Sequence, residues 1–518
     1  MMLAREPITL ATLLPESSLE GLEQYSVSGM TLDSRQIQTG DLFVAIKGHA
    51  VDGRHYIDDA LARGASAIFM EADDDREALT LRSDIPVVTL PRLAQQLSAI
   101  AGRFYSHPSH AMPLVGVTGT NGKTTCALLL AQVFALLQQR AGVLGTLGYG
   151  VLKADRPMSE QLPALVHTGL TTPDAIGVQK ILRELADAGA TCTALEVSSH
   201  SLVQDRVADI EIGTALFTNL SQDHLDYHGN MDAYGQAKAR LLQQPGLRRI
   251  LVNHDDAWCA GLLAQKPESV TGLSYSLSDT DADVHLTDRF EQRSGISAHL
   301  VSPWGSGELH TPLLGDFNLS NLLGVISVAC AHGFALEAVL RVVPELVAAP
   351  GRMEAVVIDE HQQDVQVVVD YAHTPDALEN TLKALQSHNT GRLWCVFGCG
   401  GDRDTEKRPL MGRLAERYSD YVIVTNDNPR TEDPAQIAAD ILRGMDNDHQ
   451  CLVIADRAQA IDLAVQQARS GDTILVAGKG HEDYQIFAHE TLTFSDREQV
   501  RQSLDRRLKK RASGEVAS

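Results

Sequence analysis

The chain has few cysteines, few aromatic residues and no long apolar run. Its seven cysteines include no Cys-x-x-Cys pair, which favours free thiols in a reducing compartment over disulfides. No apolar run approaches the ~20 residues needed to cross a bilayer, and the N-terminus lacks a basic-then-apolar signal segment. These features argue against a membrane-spanning or secreted protein, and we expect a cytoplasmic one.

Positive charge is also scarce. The 518 residues include 67 acidic and 44 basic side chains, for a net charge of −23. Such a surface argues against general binding to nucleic acid or anionic membranes. Individual loops can still be positive and bind anionic small molecules, so the expected partners are small-molecule substrates. We expect a monomer.

The length suggests about three domains of ordinary size. Two proline-punctuated segments, 106–113 and 348–352, are predicted linkers. They divide the chain into residues 1–107, 108–350 and 351–518. Short apolar runs alternate with helical patterns after the first linker, which is typical of α/β folds with parallel sheets.

The segment 116–125, Gly-Val-Thr-Gly-Thr-Asn-Gly-Lys-Thr-Thr, is the most informative stretch. It lies between a predicted strand, 114–117, and a predicted helix, 126–137. Small residues let backbone amides approach phosphate oxygens, and a helix N-terminus adds partial positive charge. Lys123 is expected to reach the terminal phosphates and Thr124 to bind Mg²⁺. The usual first glycine is replaced by Val117; the alternative interpretation is a glycine-rich turn with a surface lysine.

Short apolar runs predict nine strands, four in the middle segment and five in the last. They are 114–117, 193–197, 215–218 and 250–253, then 365–370, 393–398, 421–425, 451–455 and 473–477. Polar clusters follow six of the apolar runs directly, at the position where open α/β sheets bind ligands. Six such clusters on two segments predict two sheet edges around one cleft.

Two of these clusters contain candidate metal ligands. Glu196 ends a strand, and its carboxylate suits Mg²⁺, which prefers hard oxygen ligands; a capping or ion-paired glutamate is the alternative. His224 and His228 are four residues apart and, on a helix, could hold zinc. No His-Glu-x-x-His pattern or third ligand accompanies them, which disfavours zinc.

Three cationic residues can each be explained without a functional role when their local sequence is considered alone. Lys238 follows Tyr234 by four residues in a helical stretch, which indicates a solvated lysine. Arg403 and Arg430 lie in predicted loops, where a guanidinium suits a carboxylate ligand. Surface salt bridges are the alternative for both.

These motifs together resemble the Mur ligases, ATP-dependent amino-acid ligases of peptidoglycan precursor synthesis. The resemblance covers essentially the whole chain and is carried, in family order, by Thr118-Gly-Thr-Asn-Gly-Lys-Thr-Thr125, Glu196-Val-Ser-Ser-His200, Thr218-Asn-Leu-Ser-Gln-Asp-His-Leu-Asp226, Tyr234 with Lys238, Asn318 with Asn321, Gly351-Arg352 and Asp370-Tyr-Ala-His373. Within the family the chain is similar to the MurE subgroup, and Asp427-Asn-Pro-Arg430 is similar to the signature of members that add meso-diaminopimelate.

The resemblance implies an α/β protein with a smaller N-terminal α/β domain, a central P-loop-type domain with a mostly parallel sheet, and a C-terminal Rossmann-like domain. It implies that UDP-N-acetylmuramoyl-L-alanyl-D-glutamate, ATP and meso-diaminopimelate react with Mg²⁺ through an acyl phosphate. The alternatives are an L-lysine-adding ligase of the same subgroup, a folylpolyglutamate synthetase-like ligase, and a nucleotide-binding switch that catalyses no ligation. The uridine-binding first domain argues against the folate relative, and Asp427-Asn-Pro-Arg430 argues against the lysine ligase.

The resemblance also implies roles for individual residues. The implied catalytic residues are Lys123, Glu196, His224 and Lys238, the last as a carbamate (N6-carboxylysine). Thr124 and Glu196 would bind one Mg²⁺, and His224 and Lys238 a second. The implied ATP contacts are Gly119, Thr120, Asn121, Gly122, Lys123, Thr124 and Thr125, with Asn318 at the adenine and Arg352 at a phosphate.

Substrate contacts follow from the same resemblance. The muramoyl-peptide would contact Thr171, Thr172, Ser198, Gln204 and Arg206, and its uridine part Leu32, Ser34, His49, Ala50 and Val51. The diaminopimelate pocket would consist of Arg403, Asp427, Asn428, Pro429, Arg430, Gly478 and Glu482.

Overall fold

The computed structural model describes residues 6–48, 51–292, 295–359, 362–389, 391–446 and 451–513. The chain divides into two compact units. The first comprises the residues up to 123 together with 134–154 and 165–273; the second comprises 124–133, 155–164 and the residues from 274 onward. Within the described ranges no helix is long and apolar enough to cross a membrane.

The first part of unit one is a small α/β layer structure. Its elements are β1 (Ile8–Thr9), α1 (Leu10–Leu13), β2 (Ser26–Val27), β3 (Gly29–Thr31), β4 (Asp41–Ala45), α2 (Ile57–Ala62), β5 (Ala67–Glu71), β6 (Ala78–Arg82), β7 (Ile85–Leu90) and α3 (Leu93–Phe104). The sheet order is β3-β4-β5-β7-β6, and only β6 is antiparallel to its neighbour. Phe43 and Phe69 are fully buried on β4 and β5, which anchors the sheet between its helices.

The middle segment supplies a second, mostly parallel sheet. Its elements are β8 (Leu114–Thr118), α4 (Lys123–Leu136), β9 (Ala141–Gly145), β10 (Gly148–Leu152), α5 (Met158–Gln161), α6 (Ala175–Asp187), β11 (Cys192–Glu196), α7 (Ser199–Val203), β12 (Thr214–Phe217), α8 (Leu225–His228), α9 (Met231–Ala239), β13 (Arg249–Asn253), α10 (Ala257–Gln265) and β14 (Thr271–Ser276). In unit one the order is β10-β9-β11-β8-β12-β13, and all pairs except β9–β10 are parallel.

Local sequence explains these elements. Strands β8, β11 and β12 are buried along their whole length, as expected for parallel strands covered on both faces. Helix α6 begins after Asp174, whose carboxylate accepts hydrogen bonds from two amides of the first turn, both at 3.0 Å. The carboxyl ends of β8, β11 and β12 therefore lie side by side at one edge of a rigid sheet.

Unit two contains an antiparallel set of strands followed by a third α/β sheet. Its elements are β15 (Val284–Gln292), β16 (Gly295–Ser302), β17 (Gly305–Thr311), α11 (Asp316–Ala331), α12 (Leu336–Val342), β18 (Glu354–Ala355), β19 (Gln366–Asp370), α13 (Pro375–His388), β20 (Leu393–Phe397), α14 (Lys407–Tyr418), β21 (Tyr421–Val424), α15 (Pro434–Leu442), β22 (Cys451–Val453), α16 (Arg457–Gln467), β23 (Thr473–Ala477), β24 (Tyr484–Ile486), β25 (Thr491–Thr493) and α17 (Asp496–Ala512).

The larger sheet of unit two has the order β18-β19-β23-β20-β21-β22 and is parallel except at β18. Separate apolar clusters cover its two faces, one containing Phe397 and the other Trp394. Short 3-10 turns complete the chain at Leu22–Gln24, Ser34–Gln36, Gly53–Tyr56, Pro108–His110, Leu162–Ala164, Arg240–Gln243 and Val343–Glu345.

All nine predicted strands are present, with ends within two residues of the predicted ones. Helix α4 begins at Lys123, three residues before the predicted start, because the glycine loop turns directly into it. The antiparallel strands β15 to β17 were not predicted. In these strands exposed or half-buried residues alternate with buried ones, whereas the strand prediction depended on continuous apolar runs.

Candidate active site

The predicted nucleotide loop leaves β8 and is held by the end of β12. A Cβ at Gly119 would lie 1.9 Å from Thr218 Oγ1, so only glycine permits this approach. Thr218 Oγ1 donates to Asn121 O at 2.6 Å, and Asn121 N donates to Asn219 Oδ1 at 2.9 Å. The loop then enters α4, whose first amides lack acceptors within the helix. This arrangement can bind phosphate.

Lys123 folds back over this loop. Its Nζ donates to Gly119 O at 2.8 Å and to Thr120 O at 2.7 Å. The side chain is half-buried, in contrast to the surface lysine of the alternative interpretation. The ammonium thus lies at the loop backbone, where it can neutralise a phosphate that the loop binds.

Glu196 ends β11 and is 1% exposed. Its Oε1 accepts from Thr146 N at 2.8 Å, and its Oε2 accepts from Thr146 Oγ1 at 3.1 Å. Thr146 directly follows β9, the neighbouring strand. Two adjacent strand ends therefore fix the orientation of a buried carboxylate, a suitable donor for a hard cation.

Lys238 lies on α9 and is 1% exposed, so the interpretation of this residue as a solvated lysine was wrong. Its Nζ donates to Gly119 O at 2.8 Å and lies 4.3 Å from the centroid of the Tyr234 ring. The pKa of Lys238 is held well below its usual 10.5. Burial is the larger cause, and repulsion from the Lys123 ammonium is the smaller one. A lysine in this environment is poised to be a neutral, nucleophilic amine.

Three histidines form a cluster beside the Tyr234 ring. His224 precedes α8 in a left-handed conformation (φ 53°) rather than lying on the helix with His228. The His200 ring centroid lies 5.0 Å from that of His224 and 5.5 Å from that of His228. The pKa of His200 is lowered to about 4, chiefly by burial and secondarily by the other two rings.

The zinc hypothesis receives no support. Within the described parts of the chain, no group of three or more histidine, cysteine, aspartate or glutamate side chains is arranged to hold a metal. His228 Nε2 instead lies 2.9 Å from Ser199 Oγ.

The residues predicted to hold the muramoyl-peptide meet at the carboxyl end of β11. Thr172 Oγ1 donates to Glu196 O at 2.8 Å and accepts from Ser198 N at 3.2 Å. Arg206 Nη1 donates to Thr172 O at 2.7 Å, and its Nε donates to Gln204 Oε1 at 3.0 Å. Thr171 joins through its own hydroxyl, which donates to Thr146 Oγ1 at 3.0 Å, because the Thr146 hydroxyl hydrogen is already donated to Glu196. Burial lowers the pKa of Arg206.

The predicted uridine residues lie in the first α/β layer. Leu32 and Ser34 follow β3, where Ser34 is buried and Leu32 half-buried. Val51 is 55% exposed. His49 and Ala50 lie outside the described residues.

Two predicted ATP contacts belong to unit two. Asn318 lies in the first turn of α11, is buried, and donates from Nδ2 to Leu314 O at 2.9 Å. The Arg352 guanidinium carbon lies 4.3 Å from the centroid of the Tyr371 ring. Arg352 Nε is buried and has no hydrogen-bond acceptor among the described residues.

The predicted amino-acid pocket is built from loops after β20, β21 and β23. Arg430 adopts a left-handed conformation (φ 53°), donates from its backbone N to Ile486 O at 3.0 Å, and donates from Nη1 to Gly401 O at 2.8 Å. A non-glycine residue in this conformation costs free energy and is characteristic of functional sites. Arg403 is exposed, and its Nη1 donates to Asp402 O at 3.0 Å.

The acidic side of this pocket is buried. Asp427 and Asn428 are 6% and 4% exposed, and Pro429 is buried beside them. Asn428 Nδ2 donates to Glu482 Oε2 at 2.9 Å. Gly478 (φ 115°) is needed here, because a Cβ would lie 2.5 Å from Asp427 Oδ2.

Two residues of these sites had no assigned role in the sequence. Thr146 was missed because it lies at a strand end, after β9, that no prediction covered. Lys479 lies in the polar cluster after β23, and only the structure shows that it is buried. Neither role follows from local sequence, since each depends on residues distant in the chain.

Three family models match most of the chain. They are described as "Mur ligase family, catalytic domain" over residues 26–105, "Mur ligase middle domain" over 117–329, and "Mur ligase, glutamate ligase domain" over 351–480. The chain belongs to the Mur ligase family. The α/β architecture and the three-domain organisation expected from the sequence are thereby confirmed, while the boundaries at 107 and 350 stay predictions.

Individual relatives match over nearly the full length. The UDP-N-acetylmuramoyl-L-alanyl-D-glutamate–2,6-diaminopimelate ligase of Ectopseudomonas mendocina is 48% identical, over 95% of this chain and 96% of its own. The ligase of the same name from Pseudomonas aeruginosa is 46% identical, over 96% and 98%. A solved structure of a ligase with this name is 38% identical and covers 97% of this chain and 99% of its own, with a TM-score of 0.70.

Proposed function

We propose that this Mur ligase adds meso-diaminopimelate to UDP-N-acetylmuramoyl-L-alanyl-D-glutamate, using ATP, in peptidoglycan precursor synthesis. The observation that carries the proposal is near-full-length identity of 48% and 46% to two ligases that bear this name. The buried, oppositely charged groups of the loops after β21 and β23 support it, because the amino acid carries both an ammonium and a carboxylate at its distal end.

The reaction requires a carboxylate to become an acyl donor. The γ-carboxylate of the D-glutamyl residue attacks the γ-phosphorus of ATP, the bond to ADP breaks, and an acyl phosphate forms. The neutral amine of diaminopimelate then attacks the acyl carbon to give a tetrahedral intermediate. Phosphate leaves as the amide bond forms, and the amine loses a proton. Positioning and charge neutralisation supply most of the catalysis in such phosphoryl transfers.

The nucleotide loop and Lys123 carry the first step. Two anions must approach one another when the carboxylate attacks ATP, and the Lys123 ammonium lies on the loop backbone to reduce their repulsion. The proposed ATP contacts are Gly119, Thr120, Asn121, Gly122, Lys123, Thr124 and Thr125, with Asn318 at the base and Arg352 at a phosphate. Contact with the Tyr371 ring, 4.3 Å from the guanidinium carbon, holds Arg352 in place for that role.

Two of the four assigned donors fit magnesium directly. We assign Thr124 and Glu196 to one ion and His224 and Lys238 to a second; a hydroxyl and a buried, oriented carboxylate are donors that Mg²⁺ accepts. When bound, Mg²⁺ would supply charge neutralisation between the reacting oxygens. An unmodified lysine does not fit, because an ammonium cannot ligate a cation.

Carbamylation resolves this mismatch at Lys238. The lowered pKa favours the neutral amine, which can attack CO₂, form an N–C bond and release one proton. The resulting carbamate is an oxygen donor. The neighbouring Lys123 would also favour its negative charge.

The muramoyl-peptide is assigned to the cluster at the end of β11. Thr171, Thr172, Ser198, Gln204 and Arg206 hydrogen-bond to one another or to shared neighbours there. The uridine part is assigned to Leu32, Ser34, His49, Ala50 and Val51. We further propose a cytoplasmic monomer; all seven cysteines remain thiols, which is compatible with a reducing compartment.

Selection of diaminopimelate over lysine is assigned to Arg430. Nε and Nη2 of Arg430 donate to no described residue, so they can meet the distal carboxylate that lysine lacks. A lysine substrate would leave this guanidinium without its carboxylate and would be disfavoured. A guanidinium left unpaired in this way therefore disfavours the lysine-adding alternative. The identity to the named ligases disfavours the folylpolyglutamate synthetase-like alternative.

Phosphate release tests the proposal directly. The purified protein is supplied with ATP, Mg²⁺ and UDP-N-acetylmuramoyl-L-alanyl-D-glutamate, and release is compared for meso-diaminopimelate, L-lysine and no amino acid. We expect release that depends on diaminopimelate. Release with lysine instead would overturn the assignment of Arg430, and ATP binding without release under any condition would overturn the ligase function.

A further inference from the structure

Lys479 is a fully buried cation inside the proposed amino-acid pocket. Its exposed fraction is 0%, although it lies in the loop between Gly478 and Glu482, two residues assigned to the substrate. Burying an ammonium is costly unless charged or polar groups compensate for it. Its neighbours therefore define what it does.

Three pocket residues surround the ammonium. Lys479 Nζ donates to Asn428 Oδ1 at 3.0 Å and to Glu482 Oε2 at 3.1 Å, and it lies 3.5 Å from Asp427 Oδ1. All three partners belong to the proposed diaminopimelate site. The cation thus bridges the loop after β21 to the loop after β23.

Lys479 also fixes the orientation of the Asn428 amide. Asn428 Oδ1 accepts from both Lys479 Nζ and Ile486 N, the latter at 3.1 Å, so this atom must be the oxygen. The amide nitrogen then faces Glu482 Oε2, to which it donates at 2.9 Å. Both carboxamide ends are determined by groups that are fixed by burial or by the backbone.

The charge balance of the pocket depends on the same residue. Asp427 and Glu482 place two carboxylates near one site, where they would repel each other without a cation between them. With Lys479 in place, the three groups together carry one net negative charge. That charge matches one substrate ammonium, and Arg430 remains for the distal carboxylate.

We propose that Lys479 is a positioning residue that sets the geometry and net charge of the amino-acid pocket, and thereby its preference for diaminopimelate over lysine. The inference rests on the proposed function. Lys479 is enclosed by its partners and acts on the substrate through Asp427, Asn428 and Glu482.

The first test is Lys479→Met, which keeps the length of the side chain and removes its charge. We expect the KM for meso-diaminopimelate to rise at least about tenfold, because the buried Asp427, the half-buried Glu482 and the Asn428 amide lose their partner. The KM values for ATP and for the UDP-linked substrate should stay near those of the wild type. A general folding defect would instead lower kcat with all three KM values unchanged.

A change in specificity gives the sharper test. Lysine carries one positive charge more than diaminopimelate, so a pocket that has lost a cation should favour lysine relative to diaminopimelate. We expect the ratio of kcat/KM for L-lysine to that for diaminopimelate to rise about tenfold or more in Lys479→Met, and Lys479→Arg, which restores the charge, to recover part of the wild-type ratio. An unchanged ratio together with an unchanged KM for diaminopimelate would overturn the inference.

Arg507→Met is the matched control. Arg507 is a buried cation of the same sheet domain, paired with Asp364 at 2.7 Å and remote in sequence from the pocket loops. Its loss should lower thermal stability without changing the amino-acid ratio.

If Lys479→Met is not recovered folded, Lys479→Gln, which retains a donor toward Asn428, is measured in its place with the same expected changes. Wild-type protein inactive with every amino acid would refute the proposed function rather than the role of Lys479.

Discussion

Two buried lysines in this protein have opposite surroundings. Lys238, near the nucleotide loop, has a backbone carbonyl and the Tyr234 ring as its closest partners, and its pKa is held well below the usual value. Lys479, in the amino-acid pocket, lies between Asp427 and Glu482. Burial alone therefore does not determine the role of a lysine. The partner groups decide whether it becomes a reactive amine or a fixed counter-ion.

The nucleotide side and the amino-acid side differ accordingly. At the nucleotide side, a neutral amine can be converted by CO₂ into a negative oxygen donor, which changes the local charge from that of lysine to that of a carboxylate. At the amino-acid side, a permanent cation fixes two carboxylates and an amide. Under the proposed function, the first site requires carbamylation of Lys238 to become complete, whereas the second needs no modification.

The largest effect is expected from replacing Lys238. Lys238→Ala and Lys238→Met should each lower ligation by roughly 10²- to 10³-fold or more, since a group that stabilises the charged transition state is lost. The melting temperature should stay near that of the wild type, because the desolvation cost of the buried amine is also removed. Phosphate release and thermal unfolding measure the two quantities. Activity retained in both variants would contradict the carbamate role and remove the contrast between the two lysines.

A smaller effect is expected in the amino-acid pocket. Arg430→Ala should raise the KM for meso-diaminopimelate roughly 10- to 100-fold, the equivalent of one or two charge-assisted hydrogen bonds, and leave ATP binding nearly unchanged. Arg403→Ala is the comparison, and we expect a smaller increase because Arg403 is exposed. Steady-state kinetics with each substrate varied in turn give both values. Equal losses of diaminopimelate and ATP affinity in Arg430→Ala would contradict a selective pocket.

The smallest effect concerns the pH dependence of stability. The pKa of Lys238 is lowered on folding from 10.5, so the unfolded chain binds this proton more tightly than the folded chain. The free energy of unfolding should therefore rise with pH between the lowered pKa and 10.5, by at most about 1.4 kcal/mol per pH unit. Below the lowered pKa this gain is absent.

Lys238→Met isolates this contribution. Urea unfolding of both proteins in CO₂-depleted buffer, from about pH 7 to about pH 9, should show the wild type gaining stability relative to the variant as pH rises. A difference that stays constant or falls over this interval would mean that burial does not lower the pKa of Lys238. Adding bicarbonate should then stabilise only the wild type, since the variant has no amine to carbamylate at position 238.

Much of the fold was predictable because its strands are apolar and locally defined. Most of the nine predicted strands, including 114–117 and 473–477, are buried runs of apolar residues that end at glycine or polar clusters, whereas Leu452 and Val453 of β22 are exposed. Strands β15 to β17 escaped prediction because their polar alternation is typical of exposed antiparallel strands and loops alike. The candidate site was predictable where its residues follow such strands, as Glu196 and Asp427 do.

The burial of Lys238 was not predictable from its local sequence. A helical lysine four residues after a tyrosine is usually solvated, and its partner here, Gly119 O, lies 119 residues away. The same holds for Lys479 and Asn428, which are 51 residues apart. Contacts across such separations depend on how the sheets place their loops.

The sequence by itself determined the phosphate loop, the parallel sheets and the loops that carry the chemistry, because each depends on residues adjacent in the chain. Tertiary structure decided which charges those loops would have. Packing removed water from both lysines, placed one beside a carbonyl and an aromatic ring, and placed the other beside two carboxylates. Since the free energy of a buried charge depends on its partners rather than on its own residue type, only the folded chain distinguishes the two roles.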